Sequence, residues 1–248
     1  MFQSGARPMP QPHASALSLP PVALSSASMT QSAAGRVLDS LRHRIISLDL
    51  PPETVLSRVD LARDYAVSQT PVRDALQKLE AEGLVEIFPQ SRTVVTRIDT
   101  NRLHEAHFLR RATEIEVVRI LAETASPEVI GRLRAIVSLQ QTIAGNPAEI
   151  GTFQDLDDAF HQTMMAAVGQ PGLHAILRAH AGHLNRLRRL DMPDSDKVAR
   201  ILDGHSQIID ALADHDPDAA AAAMRDHLSQ TINRADALRQ RHPDYFTA

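Results

Sequence analysis

The chain has 248 residues, of which 43% are hydrophobic and only 3% aromatic, with no Trp and no Cys. Without cysteine, disulfides and thiolate metal sites are excluded, so any metal must be held by His, Asp or Glu, and a reducing compartment is natural. The net charge of −4 gives no global sign of a nucleic-acid partner, and no apolar run reaches the length of a membrane span. A cytoplasmic, mainly α-helical protein without a membrane partner is expected.

Residues 1–34 are rich in Pro, Ser and Ala, with one Arg and no acid. Such a segment buries little apolar surface and reads as a disordered tail. Pro20 and Pro21 interrupt the apolar stretch that a secretory signal needs. Met29 offers an alternative start, so the sequence leaves open whether residues 1–28 belong to the native protein.

Residues 35–98 mix helices with two strand-like runs. Val37, Leu38, Leu41, Ile45, Ile46 and Leu48 recur at helical spacing until Pro51 and Pro52 break the pattern. Ser57 caps a short second helix. Ser68 caps a third, with Pro71 in its first turn, Val72, Ala75, Leu76 and Leu79 as its buried stripe, and Gly83 at its end. "LVEIF" and "TVVTRI", joined by "PQSR", read as a hairpin. Helix, helix, turn, helix, hairpin is the order of a winged helix-turn-helix, whose second paired helix presents its N-terminal residues to the major groove. Ser68, Gln69, Thr70 and Arg73 crowd that end. Arg73 suits guanine or phosphate, Gln69 adenine, and Thr70 phosphate or a thymine methyl. By itself, a capped amphipathic helix with one Arg fits plain scaffold equally well. Residues 35–98 carry nine Lys or Arg and nine acids, so a DNA surface must be a local patch, and a dimer would double it.

The segment "LARDYAVSQTPVRDALQKLEAEGLV" resembles the DNA-binding domain of the GntR family of bacterial transcription regulators. The resemblance covers residues 36–98 and implies operator contacts by Arg58, Gln69, Thr70, Arg73 and the wing tip. The chain departs from the family twice. Gln69 stands where Arg is usual, and Arg92 follows Ser91 where the wing tip usually has Gly. An operator preference different from its relatives' is therefore expected, with Arg92 suited to the minor groove.

Residues 99–240 read as six or seven helices separated by Pro or Gly signals, an all-α bundle of common domain size, followed by a C-terminal tail at 241–248. "DLDDAFHQTM" puts Asp157 and His161 four apart on one helix face. His205 in "DGHSQIIDAL" and His227 in "AMRDHLSQTI" follow on later helices, each beside apolar neighbours. Together they would make an N/O site for a divalent metal. A lone inward His is more often a satisfied core residue, however, and His174, His180 and His183 form a rival cluster, so spacing alone leaves the site open.

"FLRRATEIE", "LDDAFHQTM", "GHSQIIDAL" and "DPDAAAAAMRDHL" are similar to the FadR C-terminal-type effector domain (FCD) of one GntR subfamily. That resemblance implies metal ligands at Asp157, His161, His205 and His227, with zinc, nickel and manganese all reasonable, and a cavity-facing Arg110. Arg186, Arg188 and Arg189 are further effector candidates, of which helical spacing lets only some face inward; Arg186 is preferred. The overall expectation is a homodimeric repressor of a pseudo-palindromic operator, released by a small carboxylate effector, with sugar acids as the favoured class. Two alternatives stay open: a regulator with the metal itself as signal, and an all-α metalloenzyme fused to a DNA-binding module. The second needs a water-activating carboxylate, for which Asp158 and Asp203 are nearest in sequence. Asp158 points about 100° away from the ligand beside it, which argues mildly against catalysis.

Overall fold

A computed structural model describes residues 32–89, 91–191 and 195–247. Most of the expected N-terminal tail, Met29, Gln90 of the wing turn and residues 192–194 lie outside the described residues.

The first three helices form as their apolar spacing dictates. α1 (Ala33–Ile46) opens on Ser32, whose side chain accepts from the Gly35 N–H, and buries Val37, Leu38, Leu41 and Ile45. It stops earlier than the prolines require. Leu48 adopts φ 68, and the Leu50 N–H turns back to the Arg44 carbonyl at 2.9 Å. α2 (Arg58–Asp64) is capped by Ser57 as expected. α3 (Gln69–Ala81) buries Val72, Ala75, Leu76 and Leu79. Full burial of such a Leu or Ile contributes about 1.5–3 kcal/mol, so this stripe fixes which face of α3 stays free. Gly83, at φ 74, then turns the chain out of the helix.

The expected hairpin is present as β2 (Val85–Ile87) and β3 (Thr93–Val95), shorter than the runs suggested. A third strand, β1 (Val55–Leu56), pairs antiparallel with β3 on its other side, giving the order β1-β3-β2. Two residues carry no readable alternation, so this strand had no sequence signature. The result is a winged helix-turn-helix packed on one apolar cluster.

Eight helices follow among the described residues. α4 (Thr100–Thr124) runs through the bundle and packs on α10 (Pro217–Ile232), α9 (Ser195–Ala213) and α6 (Ile150–Ala167). α5 (Pro127–Ile143) covers α6 and α9. Two helical stretches are broken where no Pro stands. α7 (Gly172–His180) and α8 (Gly182–Leu190) separate at Ala181. There Gly182 lets the Leu84 side chain approach so closely that a Cβ would sit 2.7 Å from its Cδ2. α10 ends at Ile232 and α11 (Ala235–Arg241) restarts beyond Arg234, whose Nε binds Asp191 Oδ1 at 2.9 Å.

The segment expected as a C-terminal tail is built into the fold. The Ile98 N–H donates to the Tyr245 carbonyl at 2.7 Å, and the Thr247 N–H to the Ile98 carbonyl at 3.0 Å. Phe246 buries with Ile98, Leu103, Leu184, Leu187 and Leu238. The end of the chain thus pins the junction between the two halves. Among the described residues, no helix is long and apolar enough to cross a membrane.

Candidate functional site

In the bundle, α6 carries Asp157 and His161 one turn apart, α9 brings His205 and α10 brings His227. All four are buried, and one ligand atom from each lies within 4.8 Å of the others. His161 Nε2 is 3.3 Å from His227 Nε2, and His205 Nε2 is 3.4 Å from Asp157 Oδ1. Two ligands about 2.1 Å from a tetrahedral ion lie about 3.4 Å apart, so the spacing suits one.

The surrounding groups aim the lone pairs inward. Gln140 donates its amide N–H to the Phe153 carbonyl at 3.3 Å, which turns its oxygen toward His205 Nδ1 at 3.0 Å. Nδ1 therefore holds the ring proton, and Nε2 is the free lone pair. Phe160 stacks on the same ring, centroids 4.0 Å apart. His161 Nδ1 faces Glu114 Oε2 at 2.5 Å, so its Nε2 is likewise free. Gly204 leaves room for His227, because a Cβ there would lie 3.0 Å from its Nδ1. His205 Nε2 and Asp157 Oδ1 are buried and make no hydrogen bond.

Charges hold these groups in ligand form. Burial pushes the Asp157 carboxyl up, but Arg188 and the His205 contact outweigh it and hold it well below the usual carboxylate range. Burial likewise opposes ionisation of Glu114, and Arg110 with His161 reverses it. His205 and His227 are both pushed down, chiefly by burial, and so stay neutral. Two imidazoles kept neutral, an ionised carboxylate and orphaned polar atoms facing one point fit a divalent ion. The rival set of His174, His180 and His183 does not converge: among the described residues the Asp157 group is the one that could hold a metal.

Two residues that sequence reasoning missed, Glu114 and Gln140, orient the ligands. Each interrupts an apolar stripe at helical spacing: Gln140 continues Ile130, Leu133 and Val137, and Glu114 precedes Val117, Val118 and Leu121. A polar residue on a core stripe was the available signal. Removing such an outer partner typically costs 10–100-fold in metal affinity. Glu114→Gln is expected to weaken zinc binding by about that factor while leaving the helical circular dichroism intact, as a competition titration against a chromophoric chelator would measure.

Arg110 lies against the site as expected, its Nε donating to Glu114 Oε1 at 2.6 Å. Arg186 does not. Its guanidinium binds the Thr96 carbonyl at the other side of α8, while Arg188 reaches Asp157 Oδ2 and lies 3.9 Å from Asp158 Oδ1. Positions two apart on a helix differ by about 200°, so both could not face the metal cluster. The cavity beside the cluster is small, about 30 Å³, and is lined by Arg110, Glu114, Asp158 and His161 among others.

The expected DNA-facing residues occupy one outer surface. Ser68, Gln69, Thr70 and Arg73 are exposed at the start of α3. Ser68 holds the N-cap position, but its side chain makes no capping hydrogen bond, contrary to expectation. The first-turn N–H groups thus remain open to an anion. Arg58, Gln69, Ser91 and Arg92 line one groove of about 300 Å³ between the helix pair and the wing. The Arg92 guanidinium sits 5.2 Å from the Phe88 ring centre, which holds it over the wing.

Residues 33–95 match the family described as bacterial regulatory proteins, gntR family, and residues 105–230 match the FCD domain. An uncharacterized HTH-type transcriptional regulator in an unstable DNA locus of Streptomyces ambofaciens is 35% identical over 206 residues, 83% of this chain and 86% of that protein. The HTH-type transcriptional repressor RspR of Escherichia coli is 28% identical over 88% of this chain and 95% of its own. Among solved structures, E. coli McbR/YncC superposes with a TM-score of 0.71 at 18% identity, over 85% of this chain and 99% of its own; at that identity the likeness speaks for the fold alone.

Proposed function

Because this chain belongs to the GntR family of bacterial transcription regulators, with an FCD domain behind its DNA-binding domain, we propose that it is a cytoplasmic, homodimeric repressor released by a small organic acid at a divalent metal site. The chain is a DNA-binding regulator and not an enzyme, in line with its family and relatives. The observation that carries the effector reading is the buried Asp157, His161, His205 and His227 cluster with Arg188 and Arg110 beside it. When bound, the ion supplies positive charge and open coordination positions for a carboxylate.

Charge bookkeeping supports an acid. Asp157, Asp158 and Glu114 are balanced by Arg110, Arg188 and Arg178, the last of which also lines the adjoining cavity. A divalent ion adds two positive charges, which carboxylate groups of a ligand would offset. A sugar acid meets that need and offers hydroxyls to the remaining polar wall. Arg188 is held by Asp157 and would turn to the incoming carboxylate. Its helix, α8, also touches the DNA-binding half through Gly182 and Arg186, so a shift of α8 would change the pose of the two recognition helices. Two-fold symmetry would set those helices on the half-sites of a pseudo-palindrome. On each half-site, Arg58, Ser68, Gln69, Thr70, Arg73 and Arg92 would contact DNA.

The test is operator binding by fluorescence anisotropy with metal-loaded protein. Release on adding one member of a panel of sugar acids and dicarboxylates, with none on adding metal alone, supports this reading. One observation favours the alternative in which the metal itself is the signal: the adjoining cavity of about 30 Å³ has room for little more than a water. Operator binding that follows the metal titration without any acid would decide for it. In the effector reading, Arg188→Gln is expected to raise the acid concentration for half-release about 10–100-fold, the value of one charge-assisted hydrogen bond, measured at saturating metal because Arg188 also holds the Asp157 carboxylate ionised.

A further inference from the structure

Among the described residues, Arg186 is the largest fully buried side chain, 0% exposed. Its Nη1 donates to the Thr96 carbonyl at 2.5 Å, and its Nη2 lies 3.4 Å from Thr96 Oγ1 and 3.0 Å from His183 Nδ1. None of these partners is an anion, and among the described residues Arg186 makes no ion pair. Burial pulls its pKa down to about 9 with no carboxylate opposing the shift. An uncompensated buried cation is costly, and proteins rarely keep one without a counter-charge.

His183 connects this cation to open space. Its Nδ1 faces two donors, the Arg186 guanidinium and the Asp99 N–H at 3.0 Å, so Nδ1 is the lone-pair nitrogen and the proton sits on Nε2. Burial, with Arg186 and Arg102 nearby, lowers its pKa to about 3 and keeps the ring neutral. His183 is 2% exposed, and Nε2 has no hydrogen-bond partner. The Gly83 carbonyl, which accepts from Thr96 Oγ1 at 2.6 Å and keeps a second lone pair, is the nearest acceptor to the ring. The ring lines a cavity of about 570 Å³ between the DNA-binding domain and the bundle, within the usual range for ligand sites.

A second donor reaches the same point. A Cβ placed on Gly83 would lie 2.1 Å from Arg102 Nη1 and 3.2 Å from His183 Nε2. Lys78 lines the cavity as well, and among the described residues neither Lys78 nor Arg102 is in an ion pair. Of the acids nearby, Glu82 is taken by Arg42 at 2.8 and 2.5 Å, Asp99 accepts from the Asn101 N–H at 2.8 Å, and Glu105 is exposed.

We propose that this seam is a second ligand site, separate from the metal cluster, which takes a small anion with carboxylate or phosphate oxygens on His183 Nε2–H, Arg102 and Lys78. The anion supplies through His183 the counter-charge that Arg186 lacks. It also ties α3 of the DNA-binding domain to α4 and α8 of the bundle, and so favours one pose of the recognition helix.

Calorimetric titration of the metal-loaded full chain with inorganic phosphate, and separately with succinate, at constant ionic strength tests this. Saturable binding of at least one of them is expected, with a rise in thermal midpoint. Phosphate alone, succinate alone or both would identify the source of the oxygens. Arg102→Gln should weaken that binding tenfold or more without changing the anion-free midpoint, because the residue is exposed. Arg188→Gln, at the metal cluster, should leave the Arg102-dependent binding unchanged. Absence of saturable binding by either anion overturns the proposal. So does equal affinity in the Arg102 variant, loss in the Arg188 variant, or a response that chloride reproduces.

Discussion

Replacing Arg73 by alanine is expected to weaken operator binding about 30-fold to 10⁴-fold, because the proposed symmetric dimer would lose one arginine–base contact of about 1–3 kcal/mol on each half-site. The side chain stands on the free face of α3, one turn past the N-cap, with 57% of its surface exposed. Its nearest partner is Asp74 at 3.5 Å, an exposed pair worth little, so the fold should not notice its removal. Arg92→Ala should cost less and should flatten the salt dependence instead, since an arginine over the wing meets phosphate or a narrow groove. Anisotropy titrations at several salt concentrations separate the two. Unchanged affinity in the Arg73 variant would remove α3 from the operator.

The DNA-binding half was legible because its signals are local. Ser57, Pro71, Gly83 and the stripe from Val72 to Leu79 act within a few residues, and the chain places each where its spacing says. The bundle was legible in its helices but not in its breaks. The α7–α8 break packs against Leu84, nearly a hundred residues earlier in the chain, and the pairing of Ile98 with Phe246 needs two distant segments to meet. No window along the sequence contains such partners. The four metal-cluster residues were named by resemblance, and spacing alone could not separate them from His174, His180 and His183. What separates them is convergence of α6, α9 and α10, a tertiary fact. The choice between Arg186 and Arg188 had the same character. Helical phase said that one must face away, and only the packing of α8 says which.

Stripping the metal with a chelator is expected to lower the thermal midpoint by about 8–16 °C. An ion present at a thousand times its dissociation constant stabilises the folded state by about 4.1 kcal/mol. In a protein of roughly this size, each kcal/mol moves the midpoint about 2–4 °C. The geometry explains why the ion-free fold would be weakened. His161 Nε2 and His227 Nε2 face each other at 3.3 Å, and Asp157 Oδ1 and His205 Nε2 make no hydrogen bond in a buried interior. Each unsatisfied buried polar group costs about 1–3 kcal/mol. Readdition of zinc, nickel or manganese should restore the midpoint, in an order that ranks the preferred ion. His205→Ala should show the lowered midpoint from the outset and no response to chelator or metal, whereas the Glu114→Gln protein should recover at higher metal concentration. A wild-type midpoint indifferent to chelation, with no stoichiometric metal in the purified protein, would reduce the cluster to a buried polar network and take the effector site with it.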